Sequence, residues 1–265
     1  MRVGIVSGSG SYDWPRLDDP RPHTCRTRWG SAEVTFGQVA GVDVVHLARH
    51  GAGHAALSNQ IDHRANLAAL LDCGIDVLVS LSVCGAVDPT LELGSVVVFD
   101  DLHFPGNRLP DGTACTWYDT VGEKGRGHWI FDSPFSPALR HVMLDAASDD
   151  EASVVDGGCY GHVDGPRFNS RAEIAALACV GVSAVSQTAG PEVVLAGEAE
   201  LPVVLLGYLT DYANGVTVDP QPVDALIARM RASTETFARI LELALPRMAA
   251  AGPPAAAGVV YRFDS

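Results

Sequence analysis

The 265-residue chain has little positive charge: one lysine, Lys124, stands among 18 basic residues, against 32 acidic residues. The formal net charge is -14. Nucleic acids and anionic membrane surfaces are bound by clustered basic side chains, and this sequence has few from which to build a basic face. We therefore expect no nucleic-acid partner and no membrane partner.

The chain also lacks long apolar runs and paired cysteines. No run approaches the roughly 20 apolar residues of a membrane-spanning helix, and residues 1–10 lack the long apolar stretch of a signal peptide. The six cysteines are scattered without a CxxC pair. These absences predict free thiols, no metal site and a cytoplasmic location.

What the sequence has is apolar content, 47% of the residues, in alternating short and long segments. Short runs rich in valine, isoleucine and leucine predict strands at 3–6, 43–48, 76–83, 95–99, 182–186 and 202–209. Longer amphipathic stretches predict helices at 64–73, 136–147, 171–180, 191–200 and 221–250. This alternation predicts a single α/β domain, with a largely parallel sheet flanked by helices. We place that domain at 1–250, followed by a peripheral tail at 251–265, and expect a long loop at 101–135.

Glycine-rich and charged residues follow the first two predicted strands. The turn at 7–10 (SGSG) offers backbone N–H groups and hydroxyls that suit a phosphate, although a lone glycine-rich turn is more often only a turn. A dinucleotide-binding fingerprint needs glycine where Asp13 stands, which disfavours an NAD-dependent oxidoreductase. Arg49 and His50 directly follow the strand at 43–48, where open α/β sheets bind ligands, and arginine suits phosphate oxygens. No cysteine or carboxylate set near this cluster completes a metal site.

Three more segments of small and polar residues follow predicted strands. Within 82–86 (SVCGA), Cys84 is better explained as a buried thiol than as a nucleophile, because no base is evident near it. Residues 187–192 (QTAGPE) place a threonine and N–H groups at a helix start, which suits an anion. Residues 210–214 (TDYAN) follow the strand at 202–209. Because the ends of parallel strands share one edge of a sheet, we predict one ligand site there.

The order of these motifs resembles that of the trimeric purine nucleoside phosphorylases, and among them the 5'-methylthioadenosine phosphorylase subgroup. The resemblance runs from about residue 3 to residue 245. It is carried by GIVSGSG, ARHGAGH, Asn66, SVCGA, GPRF at 165–168, T-x-x-PEVVLA at 188–196 and TDY at 210–212. GPRF and PEVVLA in this order are specific, whereas GSG alone is not. The resemblance implies one domain with a central mixed, largely parallel sheet.

The resemblance also implies roles for individual residues. Phosphate is expected to bind at Ser9, Arg49, His50, Ser82 and Thr188. The nucleoside is expected to contact Val83, Cys84, Gly85, Phe168, Asn169, Gln187, Asp211 and Ala213. Asp211 and His54 are the implied catalytic residues, with Asp211 facing the base and His54 lying near the phosphate. His128 of a neighbouring subunit is expected to reach the 5' end of the nucleoside, which implies a homotrimer.

Three positions depart from the family pattern and leave the base preference mixed. Gln187 stands where a methionine usually lies beneath the ribose, and Asn169 replaces a serine or a glutamate. Ala213 replaces the second aspartate that accepts from a 6-amino group, while Asp211 keeps the first. The aromatic residues Trp129, Phe131 and Phe135 near His128 favour an apolar 5' pocket.

The implied reaction is phosphorolysis of a purine nucleoside, giving free purine and ribose 1-phosphate or its 5-modified analogue, as in purine salvage. The favoured substrate is 5'-methylthioadenosine or another 5'-deoxy or 5'-modified purine nucleoside. A 6-oxopurine enzyme acting on 5'-methylthioinosine, inosine or guanosine is the alternative, and a non-catalytic nucleoside-binding protein is a third reading. No cofactor is implied, because inorganic phosphate is the co-substrate.

Overall fold

A computed structural model describes residues 1–9, 16–150, 152–218 and 222–263. Gly10, the last residue of the glycine-rich turn, and Asp13 lie outside these ranges. So does residue 221, where the pattern predicts the last helix to begin. The strands are β1 (Arg2–Ser7), β2 (Asp18–Thr27), β3 (Gly30–Val39), β4 (Val42–Ala48), β5 (Val77–Ala86), β6 (Val96–Val98), β7 (Asp101–His103), β8 (Gly127–Ile130), β9 (Val154–Asp156), β10 (Cys159–His162), β11 (Val182–Ser186), β12 (Val203–Tyr212) and β13 (Val259–Arg262). The helices are α1 (His63–Asp72), α2 (Pro137–Asp149), α3 (Arg171–Cys179), α4 (Ala189–Glu198) and α5 (Val223–Ala251).

These elements form one α/β domain around a mixed, largely parallel sheet, as the sequence predicts. One path through the sheet runs β2-β3-β4-β1-β5-β11-β10-β7, and β12 leaves this path by pairing with β5 and β6. β1 pairs in parallel with β4 and with β5, and β5 also pairs in parallel with β12. Their carboxyl ends therefore meet at one edge, which is where open α/β sheets place ligands.

The nearly continuous apolar runs are strands covered on both faces. In β5, Val77, Val79 and Leu81 pack with α2 and α5, whereas Leu78 faces the opposite layer, which contains α1 and α4. All six predicted strands and all five predicted helices are confirmed, with ends that differ by a few residues. α4 begins at Ala189, slightly earlier than predicted.

Serine caps fix the starts of two helices. The hydroxyl of Ser136 accepts from the backbone N–H of Leu139 at the start of α2, and Ser170 accepts from Glu173 at the start of α3. These side chains satisfy N–H groups that have no partner within a helix, so the polar residue before each apolar stretch sets the boundary.

The segment 101–135 is not wholly a loop, as the sequence predicts it to be, because it contains β7 and β8. β7 pairs with β10 in the main sheet, and β8 pairs with β13 from the C-terminal tail. Both strands are short and only partly buried, so they carry too little apolar pattern to be recognised. The domain limit at residue 250 stays a prediction.

None of the helices in the described part of the chain combines the length and the apolar character needed to cross a bilayer. The cytoplasmic location stays a prediction.

Candidate active site

A cavity of roughly 360 Å³ opens where the carboxyl ends of β1, β4, β5 and β12 meet. The structure brings every predicted site residue except His128 to its wall: Ser9, Arg49, His50, His54, Ser82, Val83, Cys84, Gly85, Phe168, Asn169, Gln187, Thr188, Asp211 and Ala213. A volume of this size suits a small-molecule ligand.

One part of the expected geometry is wrong. β11 is parallel to β10 but antiparallel to β5, so the segment 187–192 does not follow a strand that runs in the direction of β5. It reaches the cavity because β11 runs back along the second half of β5. The hydroxyl of Ser82 consequently lies 3.0 Å from that of Ser186, and donates to it.

Arg49 lies at the inner end of the cavity and is almost wholly buried, with 2% of its surface exposed. Its guanidinium forms a two-fold ion pair with Glu192 of α4: Nε donates to Oε1 and Nη2 donates to Oε2. Burial by itself lowers the pKa of Arg49 and raises that of Glu192, but their attraction outweighs it, so both groups stay charged. The sequence indicates a phosphate-binding role for Arg49 but contains no local sign of this partner.

Gly8 explains why the turn after β1 needs a glycine. A Cβ atom built on Gly8 would lie 2.7 Å from Nη1 of Arg49, which is closer than packed atoms approach. The absent side chain lets the arginine lie directly against the turn, beside Ser9.

Two histidines follow Arg49 and stack on each other. The rings of His50 and His54 are 4.2 Å apart and nearly parallel. Nδ1 of His50 lies 2.9 Å from the carbonyl oxygen of Ala56, so Nδ1 carries the proton and donates it. Burial and the charge of Arg49 lower the pKa of His50 to about 4. His50 is therefore neutral at pH 7.

The start of α4 forms another wall. Thr188 precedes the helix and is buried, and its side chain makes no capping hydrogen bond. The N–H of Ala189 donates to the hydroxyl of Tyr160 at 3.1 Å, which leaves fewer free N–H groups here than the sequence suggests. The Thr188 side chain lines the cavity on the same side as Ser82.

Asp211 lies on β12 beside Gly85 of β5, whereas Arg49 binds Ser80 and Leu81, so the two groups stand at different ends of the same stretch of β5. Oδ1 of Asp211 accepts from the hydroxyl of Thr210 at 2.7 Å, and burial raises the pKa of Asp211 above the usual range for a carboxyl. Ala213, two residues on, is buried in an apolar cluster. Cys84 is also buried, and burial raises the pKa of its thiol to about 12. The absence of thiolate at neutral pH agrees with the structural role expected for Cys84.

Gln187 ties the rim of the cavity together. Its Oε1 accepts from the hydroxyl of Ser58 at 2.8 Å, and its Nε2 donates to the carbonyl oxygen of Arg167 at 3.0 Å. Next to it, Phe168 is 63% exposed, and the carbonyl oxygen of Asn169 accepts from the side chain of Asn214. A glutamine here thus fastens the 165–169 segment across the opening.

His128 lies on β8, outside the cavity of its own chain. It pairs with Tyr261 of β13 and packs edge-on against Phe263, with ring centroids 5.2 Å apart. This position is compatible with the expected contact to a neighbouring subunit.

Sequence reasoning missed the polar cluster behind the cavity. His63 is buried beside Glu192, with Nδ1 3.8 Å from Oε1, and neither of its ring nitrogens has a hydrogen-bond partner among the described residues. His162 lines the same region, and its Nδ1 is likewise without a partner there. Glu192, which stands among apolar residues in the first turn of α4, was the available signal for a buried ion pair.

Among the described residues, no three His, Cys, Asp or Glu side chains are grouped closely enough to hold a metal ion. The chemistry available at the cavity is therefore that of a buried ion pair, hydroxyl and backbone donors, and a carboxyl of raised pKa.

The chain is similar to known proteins in sequence and in fold. Residues 2–246 match the phosphorylase superfamily. A 6-oxopurine nucleoside phosphorylase from Pyrococcus furiosus is 31% identical over 252 residues, covering 92% of each chain. An S-methyl-5'-thioadenosine phosphorylase from Mycobacterium tuberculosis is 34% identical over 250 residues, covering 93% of this chain and 89% of its own.

Among solved structures, the methylthioadenosine phosphorylase of Schistosoma mansoni in complex with adenine superimposes with a TM-score of 0.86. The two chains are 26% identical, and the match covers 94% of this chain and 92% of the other.

Proposed function

Since the chain belongs to the phosphorylase superfamily, we propose that it catalyses the reversible phosphorolysis of a purine nucleoside. The products are the free purine and ribose 1-phosphate or its 5-modified analogue. The observation that carries the proposal is the single cavity that unites Arg49 and the hydroxyls of Ser82 and Thr188 at one end with Asp211 at the other. Relatives named as purine nucleoside phosphorylases support it.

The anion end suits the attacking phosphate. Ser9, Arg49, His50, Ser82 and Thr188 are the proposed phosphate ligands, and His54 supports His50 through the stacked rings. A phosphate oxygen forms the new bond to C1' of the sugar as the bond from C1' to the purine nitrogen breaks. Positive charge develops on the sugar, and an anion held beneath it stabilises that charge.

Asp211 suits the base end. The electron pair of the broken bond leaves with the purine, which becomes a better leaving group when its N7 is protonated or accepts a hydrogen bond. The raised pKa of Asp211 increases the protonated fraction that can donate there. Positioned proton donors of this kind contribute roughly 100- to 10,000-fold to a rate.

The proposed nucleoside is 5'-methylthioadenosine or another 5'-modified purine nucleoside, contacted by Val83, Cys84, Gly85, Phe168, Asn169 and Gln187. One observation favours a second candidate, a 6-oxopurine nucleoside. Ala213 lines the cavity, and its side chain is a methyl group, which offers no acceptor for a 6-amino group. Relatives of both kinds, including a probable S-methyl-5'-thioinosine phosphorylase of Xylella fastidiosa that is 34% identical, are consistent with either substrate.

We also propose that the enzyme is a homotrimer in which His128 of one subunit reaches the 5' end of the nucleoside in the next. β8, β13 and the residue after β13 present several exposed apolar side chains around His128: Ile130, Val259, Tyr261 and Phe263. Apolar groups of this size are expected to be covered by a partner.

A panel of purine nucleosides, each incubated with and without phosphate, tests the function. We expect free base to appear only with phosphate, and fastest with a 5'-methylthio nucleoside. The rates on methylthioadenosine and methylthioinosine then separate the two substrate classes. Nucleoside binding without phosphate-dependent base release would instead identify a non-catalytic binding protein.

A further inference from the structure

The guanidinium of Arg49 is nearly saturated by protein acceptors. An arginine carries five N–H donors. Nε and one N–H of Nη2 bind the two oxygens of Glu192, the second N–H of Nη2 donates to the hydroxyl of Ser80 at 3.0 Å, and Nη1 donates to the carbonyl oxygen of Leu81 at 3.0 Å. Among the residues that the structure describes, one N–H of Nη1 has no protein acceptor and is available to a ligand.

Nη1, which carries this remaining N–H, lies beside Gly8 at the cavity wall. Nη1 lies against Gly8, so closely that a Cβ there would approach to 2.7 Å. Gly8 and Arg49 both line the cavity wall. The orientation of the guanidinium, and hence the direction of its last donor, is fixed by the acceptors on its other sides.

Ser80 strengthens the link between the two charged groups. Its hydroxyl accepts from Nη2 of Arg49 and donates to Oε2 of Glu192 at 2.7 Å. Both ends of the ion pair are buried, with 1% of the Arg49 side chain and 2% of the Glu192 side chain exposed. In such an environment the charges are poorly screened by solvent, so each is felt strongly by any ion in the cavity.

The groups around the pair add no positive charge at pH 7. Burial lowers the pKa values of His63 and His50 to about 4, and that of His162 to about 3. Within the described ranges, the charge of Arg49 is therefore balanced by Glu192 alone. An anion in this cavity meets a neutral ion pair together with hydroxyl and backbone donors.

We propose that Glu192 is a positioning residue of the anion site, which holds Arg49 with one N–H towards the cavity and cancels its charge. Phosphate is consequently bound mainly by neutral donors, and the charge balance keeps the product from being held too tightly. The inference rests on the proposed phosphorolysis, because it concerns the anion of that reaction.

The alternative is that the ion pair only ties α4 to the end of β4. A tie of that kind contributes to stability and has no direct effect on anion affinity. The two roles differ in the energetic coupling between Arg49 and Glu192 when phosphate binds, which a double-mutant cycle measures.

The cycle compares Arg49→Met, Glu192→Gln and the double variant, with phosphate affinity measured by calorimetry and folding checked by thermal unfolding. In Arg49→Met, the unbalanced carboxylate of Glu192 is expected to weaken phosphate binding at least 100-fold. Adding Glu192→Gln removes that charge, and is expected to restore at least tenfold of the affinity. Glu192→Gln alone is expected to tighten phosphate binding at least threefold and to lower kcat, because Arg49 loses its orientation.

Removing one partner of a buried ion pair is strongly destabilising, so either single variant is at risk of failing to fold. Ser80→Ala is the second arm, because it keeps both charges and removes only the bridging hydroxyl. It is expected to lower kcat/KM for phosphate three- to tenfold while leaving KM for the nucleoside unchanged. Unchanged phosphate kinetics in Ser80→Ala would count against the proposal.

Glu198→Gln is the matched control. Glu198 lies on the same helix, but its carboxylate accepts from the hydroxyl of Thr116 and the N–H of Trp117, away from the cavity. We expect its phosphate affinity to stay within twofold of the wild type. Two results would overturn this inference and leave the proposed function standing. One is an effect of Glu198→Gln on phosphate affinity as large as that of Glu192→Gln. The other is additivity of the effects of Arg49→Met and Glu192→Gln. Failure of the wild type to bind phosphate would overturn the proposed function as well.

Discussion

Protonation of the buried His63 should make the fold less stable at acidic pH. The ring is 1% exposed, and burial is the main reason that its pKa falls from 6.5 to about 4; Glu192 opposes this shift, whereas Arg49 and His50 add to it. The folded protein therefore binds a proton on His63 less readily than the unfolded chain does. The contribution of His63 is fully present above about pH 6.5 and is lost as the pH falls towards 4.

The magnitude follows from the two pKa values. At pH 4.5, a shift of this size corresponds to a loss of about 2 to 3 kcal/mol in the free energy of unfolding. For a domain of this length that loss lowers Tm by about 5 °C.

The assay is thermal unfolding followed by circular dichroism at pH 7 and pH 4.5, for the wild type and for His63→Met. Methionine fills irregular space without a titrating group. The decrease in Tm between the two pH values should therefore be about 5 °C smaller in His63→Met than in the wild type. His141→Met is the control, because the His141 side chain is 77% exposed on α2 and should leave the decrease unchanged. An equal decrease in His63→Met and the wild type would refute this explanation.

Two further predictions concern the cavity. Asp211→Asn should lower kcat roughly 100- to 10,000-fold with little change in Tm, because the amide cannot deliver a proton to the base but keeps an oxygen for hydrogen bonding; steady-state kinetics with a wild-type kcat would remove Asp211 from this role. Gln187→Met should raise KM for the nucleoside several-fold and leave KM for phosphate nearly unchanged, because it removes the hydrogen bond with Ser58 that fastens the rim. An equal rise in both KM values would contradict this reading of Gln187.

The sequence predicts the central strands because they are covered on both faces. β1, β5 and β12 are almost entirely buried, and burial requires the continuous apolar runs that identify them. β2 is missed for the opposite reason: nearly all of its residues are exposed, and Pro20 and Pro22 lie within it. It is an edge strand defined by its pairing with β3, and pairing leaves no local pattern.

The residues that line the cavity were predictable because they belong to recognisable motifs, most of which stand in or just after the last residues of a strand. Their interactions were not. Arg49 and Glu192 are separated by 143 positions, so their ion pair exists only once α4 has packed against β5. The hydrogen bonds of Gln187 likewise join segments that are far apart in the sequence.

The central position of β5 limits where this protein can be re-engineered. β5 pairs with β1, β11 and β12, and its second half supplies both Ser82 and Gly85 to the cavity. A backbone displacement there would disturb the anion and base ends together. Libraries aimed at a new base preference should leave β5 intact and vary Phe168 and Asn169, which line the cavity outside the sheet strands. Gly165 should be kept, because a Cβ there would collide with Oε1 of Gln187.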